Sequence, residues 1–96
     1  MLAQMARQKL PDSANVADTL GWAFYKLGSA ESAVAQLKES VQKAPRNPVY
    51  QYHLGMAYVQ TGDWERAKST LHRALALKAD FDGAADARKA LTLIGA

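Results

Sequence analysis

Leu20-Gly21-Trp22-Ala23-Phe24-Tyr25-Lys26-Leu27-Gly28 is answered thirty-four residues later by Leu54-Gly55-Met56-Ala57-Tyr58-Val59-Gln60-Thr61-Gly62, with Leu, Gly, Ala, an aromatic and Gly at the same offsets. The same interval joins Glu31 to Glu65, Ala33 to Ala67 and Leu37 to Leu71. A fixed period of this length means that one supersecondary unit is stacked on copies of itself, burying a face that a single unit could not hide from water.

Working outward, each repeated residue has a physical task. Gly21 and Gly55 fall inside helical patterns, where Gly costs about 1 kcal/mol relative to Ala, so a neighbouring helix is expected to approach closely there, with Ala33 and Ala67 as the matching small contacts. Gly28 and Gly62 follow the last helical turn, where a left-handed residue reverses the chain without a Cβ clash. Phe24, Tyr58, Leu37 and Leu71 are expected between helices. Asn47-Pro48 reads as a cap followed by the residue that tolerates the first helical position.

The register extends to both ends. Ala6 and Pro11 lie one period before Ser40 and Pro45, so residues 1–13 read as the second helix of a partial unit, followed by full units at 14–47 and 48–81 and a closing helix in 82–96. About six helices are predicted, near 1–9, 14–27, 30–43, 48–61, 64–78 and 82–94. A chain that opens in mid-unit has the framing expected of the end of a longer solenoid.

The series Leu20, Gly21, Phe24, Gly28, Ala33, Leu37, Pro45 and its echo Leu54, Gly55, Tyr58, Gly62, Ala67, Leu71, Ala74 resembles the tetratricopeptide repeat family over the whole chain. The departures are Ala17 and Gln51 for an early Trp, Ala30 for the aromatic after the turn, Ser40 for a late Ala and Ala79 for the closing Pro. The resemblance implies an all-α fold, a right-handed superhelical stack of antiparallel helix pairs. It further implies a protein-interaction module rather than an enzyme. A narrower likeness, carried by Asp18-Thr19-Leu20-Gly21-Trp22 and Phe81-Asp82-Gly83-Ala84-Ala85-Asp86, is to the last repeats of bacterial tetratricopeptide lipoproteins of exopolysaccharide and PEP-CTERM sorting systems. That likeness would place the parent in the periplasm or cell envelope; without it the cytoplasm is the expectation.

Composition agrees with a helical module. The chain has 96 residues, 49% of them hydrophobic, and a net charge of +3. Its cations, among them Lys38, Lys43, Arg66, Lys68 and Arg73, are spread over the second helices and interleaved with Glu39 and Glu65, which does not make the basic stripe of a nucleic-acid binder. No apolar run approaches a membrane span of roughly 20 residues. With no cysteine there is no disulfide framework or thiolate metal site. His53 and His72 stand on different helices without a metal-binding or acid–base motif, so no cofactor, metal or catalytic group is expected.

In tetratricopeptide arrays the first helix of each unit lines the concave side, and the resemblance names the positions that point there. They are Asn15, Asp18, Trp22, Tyr25 and Lys26 in the first unit, Val49, Tyr52, Met56, Val59 and Gln60 in the second, and Asp86 in the closing helix. Gly83, Ala90, Leu93 and Ile94 share that register. Trp22, Tyr52 and Met56 are the expected anchors for a peptide or helical segment of a partner protein. The family's clamp for acidic chaperone tails uses Lys, Asn and Arg at places held here by Asp18, Trp22, Tyr52, Met56 and Asp86, so an apolar or mildly basic partner is expected instead. The alternative is a structural spacer whose contacts, including weak self-association, lie at the exposed terminal helices.

Overall fold

Two identical turns organise the chain. Gly28 and Gly62 take φ of +83° and +81°, Ser29 N–H donates to Phe24 O at 2.9 Å, and Asp63 N–H donates to Tyr58 O at 3.0 Å. Each turn thus satisfies orphan carbonyls of the preceding helix while reversing the chain. The computed structural model describes residues 13–95, which form five helices: α1 (Ser13–Lys26), α2 (Ala30–Lys43), α3 (Pro48–Thr61), α4 (Trp64–Leu77) and α5 (Ala84–Leu93). No strand occurs among the described residues. The helix expected near 1–9 lies outside them.

The starts of α3 and α4 are fixed by side chains. Asn47 Oδ1 accepts from Tyr50 N–H at 3.1 Å, ahead of Pro48. Asp63 caps α4 by accepting from Arg66 N–H and, at 2.8 Å, from Arg66 Nη1. These bonds, the guanidinium first, hold its carboxyl below the usual range. The closing helix begins at Ala84 rather than at Asp82, because Gly83 takes a φ of +109° that no helix can contain and Phe81–Gly83 becomes a turn.

Helices pair as α1 with α2 and α3 with α4; α2 then packs on α3, and α5 closes against α3 and α4. Helix α3 is therefore covered on several sides, which is why Tyr50, Gln51, Tyr52, Leu54, Ala57 and Tyr58 are all buried on one helix. Within each pair the close approach falls at the predicted glycine, but its partner is a leucine. A Cβ on Gly21 would stand 2.5 Å from Leu37 Cγ, and one on Gly55 would stand 2.5 Å from Leu71 Cδ2. Ala33 and Ala67, fully buried, pack nearby without being the nearest atoms.

Three of the departures from the family pattern find local hydrogen bonds, although Gln51 Oε1 stays buried without a partner. Ser40 is fully buried, and its hydroxyl donates to Leu37 O at 2.7 Å within its own helix. Gln51 replaces an aromatic with an amide whose Nε2 donates to Pro45 O at 2.9 Å, tying the α2–α3 loop to α3. The Arg88 guanidinium donates to Ala79 O, bracing the segment where the closing Pro is missing.

One expected scaffold residue is not covered. Leu54 is 5% exposed beneath α2, whereas Leu20, one period earlier, is 44% exposed. Val16 and Leu27 are exposed beside it, and Asn15, Val16, Thr19, Leu20 and Ala23 line a shallow depression. The physical reason is positional: α2 shields α3, while no helix among the described residues stands in that place against α1.

Gly55→Ala is expected to lower unfolding free energy by about 1–3 kcal/mol despite its better helix propensity, because Leu71 has no room to retreat. Gly28→Ala, with open space around it but left-handed backbone, should cost about 1–2 kcal/mol. Combining Gly55→Ala with Leu71→Ala should cost less than the sum of the single changes in chemical denaturation, the sign of a direct contact.

Candidate functional site: an aromatic cluster on the α1, α3 and α5 face

The first helices of successive units meet along one face, and an aromatic cluster joins them. Trp22 of α1 stacks with Tyr25 one turn later, centroids 4.4 Å apart and planes 4° apart. It also stacks with His53 of α3 at 3.9 Å and 20°. Tyr52 lies tilted against Trp22, His53 and Phe81 at 5.4–5.8 Å. Such offset and tilted pairs each add about 0.5–1.5 kcal/mol beyond the area they bury. Lys26 Nζ stands 5.9 Å from the Trp22 ring centroid, within cation–π reach.

Polar bonds between adjacent helices fix the register of this cluster. His53 Nδ1 lies 2.7 Å from Asp18 Oδ1, with both side chains largely buried. A carboxylate only accepts, so Nδ1 carries the hydrogen of this bond. Gln60 Nε2 donates to Tyr25 O at 3.1 Å, supplying a partner for a carbonyl at the end of α1. On the other side, Tyr52 O–H donates to Asp86 Oδ2 at 3.5 Å. Tyr52 and Asp86 are one period apart and so occupy equivalent positions, while Asp18–His53 and Tyr25–Gln60 are one residue further apart.

Tyr52 is the hub. It is 6% exposed, and a Cβ on Gly83 would fall 2.4 Å from its ring. A side chain at Gly83 would displace either Tyr52 or the start of α5. Burial, then the negative charge of Asp86, pushes the Tyr52 phenol up to about 12. Tyr25 is raised by the same two causes in the same order.

The residues expected on this face are not equally available to a partner. Asp18 and Tyr52 are buried, their polar groups bonded within the protein. Trp22, Tyr25, Met56 and Val59 are half-buried, with Met56 and Val59 packed on the same cluster as Trp22. Lys26, Gln60 and Asp86 are exposed. Asn15 belongs to the depression beside Val16 and Leu20, and Val49 stands at the start of α3, half-buried. Among the closing-helix positions, Ala90 is buried, Leu93 is 79% exposed and Ile94 packs beside Val59.

Two members of the cluster were not anticipated. His53 sits one residue past the named position, and its signal is Asp18, one period and one residue earlier. Phe81 lies in a turn outside the repeated helical positions, so periodicity gives it no weight; Gly83, expected on a helix, lies in the same turn against Tyr52. Among the described residues no group of three His, Cys, Asp or Glu side chains is placed to hold a metal ion, and no helix is long and apolar enough to cross a membrane.

Stacked helix pairs with a repeated turn and a shared first-helix face define a helical-repeat scaffold for protein interaction. The tetratricopeptide repeat family model matches residues 24–94, and the chain belongs to that family. No curated protein matches the chain closely enough to show kinship.

The raised phenol predicts an alkaline weakness with a definite sign. The Tyr52 proton is held more tightly in the folded than in the unfolded chain, so its contribution is complete below pH 10.0 and is lost as pH rises through about 12. In urea titrations between these pH values, Tyr52→Phe should lose stability with pH less steeply than the wild type. Ultraviolet titration at high pH should show one late-ionising phenol fewer.

Proposed function

We propose that the α1, α3 and α5 face is a groove that binds a short peptide or helical segment of a partner protein, within a larger bacterial assembly. The observation that carries the reading is the pinned aromatic cluster. Tyr25, Met56 and the open part of Trp22 stand half-buried on rigid helices, held by Gln60 and by the Asp18–His53 bond. Half-buried aromatic and Met side chains on a preorganised surface offer contact area at little ordering cost. Tyr52 would act from beneath, as the support of that surface and through its hydroxyl, and Val59, Gln60, Lys26 and Asp86 would form its rim. Asn15 and Val49 would extend it toward the helix starts.

The same reading takes 14–47 and 48–81 as the repeats, 82–96 as the closing helix and 1–13 as a partial unit. The narrower likeness to envelope lipoproteins of bacterial export systems rests on the sequence stretches around Asp18 and Phe81 and would put the partner in that compartment. Selection from a random 12-residue displayed peptide library tests the groove. Peptides enriched on the wild type should bind at least about tenfold more weakly to Tyr25→Ala/Met56→Ala, hot-spot truncations each costing about 1–2 kcal/mol. Unchanged binding to a double variant of native helicity overturns the assignment.

A second reading, contact through the repeat ends, is favoured by the exposed Val16 and Leu20 on α1 and Leu27 just past its end. An apolar patch of this kind marks a packing surface. If it joins copies of the chain, sedimentation should show concentration-dependent association that Leu20→Lys abolishes while the groove variant does not.

A further inference from the structure

The polar edge of the aromatic cluster is where three successive first helices converge. Tyr52 on α3 directs its hydroxyl to Asp86 on α5 at 3.5 Å. Asp86 also acts on the Tyr25 phenol of α1, and Asp82, in the turn before α5, adds a second carboxylate near Tyr52. Elsewhere in the described residues Glu39 and Asp63 pair with Lys43 and Arg66, and Asp18 bonds the His53 imidazole. Asp82 and Asp86 have no cationic side chain within 4.0 Å among the described residues, and both are exposed. The cation of this face, Lys26, lies over Trp22.

This leaves a face with an uneven character. Apolar area from Tyr25, Met56 and Val59 runs beside an uncompensated negative edge furnished by α5, although the whole chain is positive. We propose that Asp86 and the Tyr25 hydroxyl receive a basic side chain of the partner, an arginine or lysine. Its aliphatic stem lies along Tyr25 and Met56. The inference rests on the groove reading and names its ligand. The chemistry is specific: a carboxylate accepts charge-assisted hydrogen bonds, a phenol oxygen accepts a further one from a guanidinium fork, and aromatic faces attract a cation. A carboxylate at the same place would meet Asp86 and Asp82 and be repelled.

The test runs the 12-residue library in parallel on the wild type, on Asp86→Asn, which keeps the shape and removes the charge, and on Asp86→Lys, with helicity compared first. Wild-type peptides should be enriched in Arg or Lys flanked by apolar residues. The best of them, resynthesised with a fluorophore, should lose about two- to fivefold in affinity on Asp86→Asn, the change expected of one exposed ion pair. Replacing its basic residue by Glu should weaken binding to the wild type and restore it to Asp86→Lys. Peptides that need Tyr25 and Met56 but carry no basic preference, or bind Asp86→Asn equally well, overturn the cation site and leave the groove standing. A wild-type selection that enriches no peptide overturns both.

Discussion

The contact between a helix-interior glycine and a leucine of the next helix sets the geometry on which everything else depends. Gly21 against Leu37 and Gly55 against Leu71 bring the two helices of a unit so close that a single carbon would not fit. Both leucines are fully buried as a result. Because interiors are packed at crystal-like density, the distance and rotation of each pair are fixed by this contact rather than averaged over alternatives. Repeating the contact at one period repeats the unit, and the repetition lines up the first helices on one face.

That alignment is then made rigid by bonds of a different kind. Side chains on α1, α3 and α5 reach to the equivalent position one unit away or to the residue after it, through Asp18 to His53, Gln60 to the Tyr25 carbonyl and Tyr52 to Asp86. Hydrogen bonds are sensitive to direction in a way that apolar packing is not, so they specify one register between units. The aromatic rings fill the space these bonds define. Stability and recognition consequently draw on the same residues: Tyr52 is spent on holding α5 in place, and what is offered outward is the flank of the cluster.

The two outer helices of the described stack differ in the same terms. Helix α5 presents Asp86, Arg88, Lys89 and Thr92 to solvent beside an exposed Leu93. Helix α1 presents Val16 and Leu20, with Leu27 exposed just past its end. A leucine is apolar wherever it stands; whether it is core or surface depends on whether a helix occupies the adjoining place.

Local chemistry determined much of this protein from the sequence. The helices of the two units, the left-handed turns at Gly28 and Gly62, the Asn47 cap and the all-α stack follow from spacing, because each is decided by residues within one turn or one period of each other. The positions assigned to the face of the first helices came from the family resemblance rather than from spacing. Only the tertiary structure decided which of its residues are spent internally: Tyr52 and Asp18 are buried, Leu20 is bare, and His53, Phe81 and Gly83 complete the cluster. Those outcomes depend on what stands opposite each side chain across a helix interface, and a periodic pattern carries the position of a residue on its own helix but not the chemistry of its neighbour.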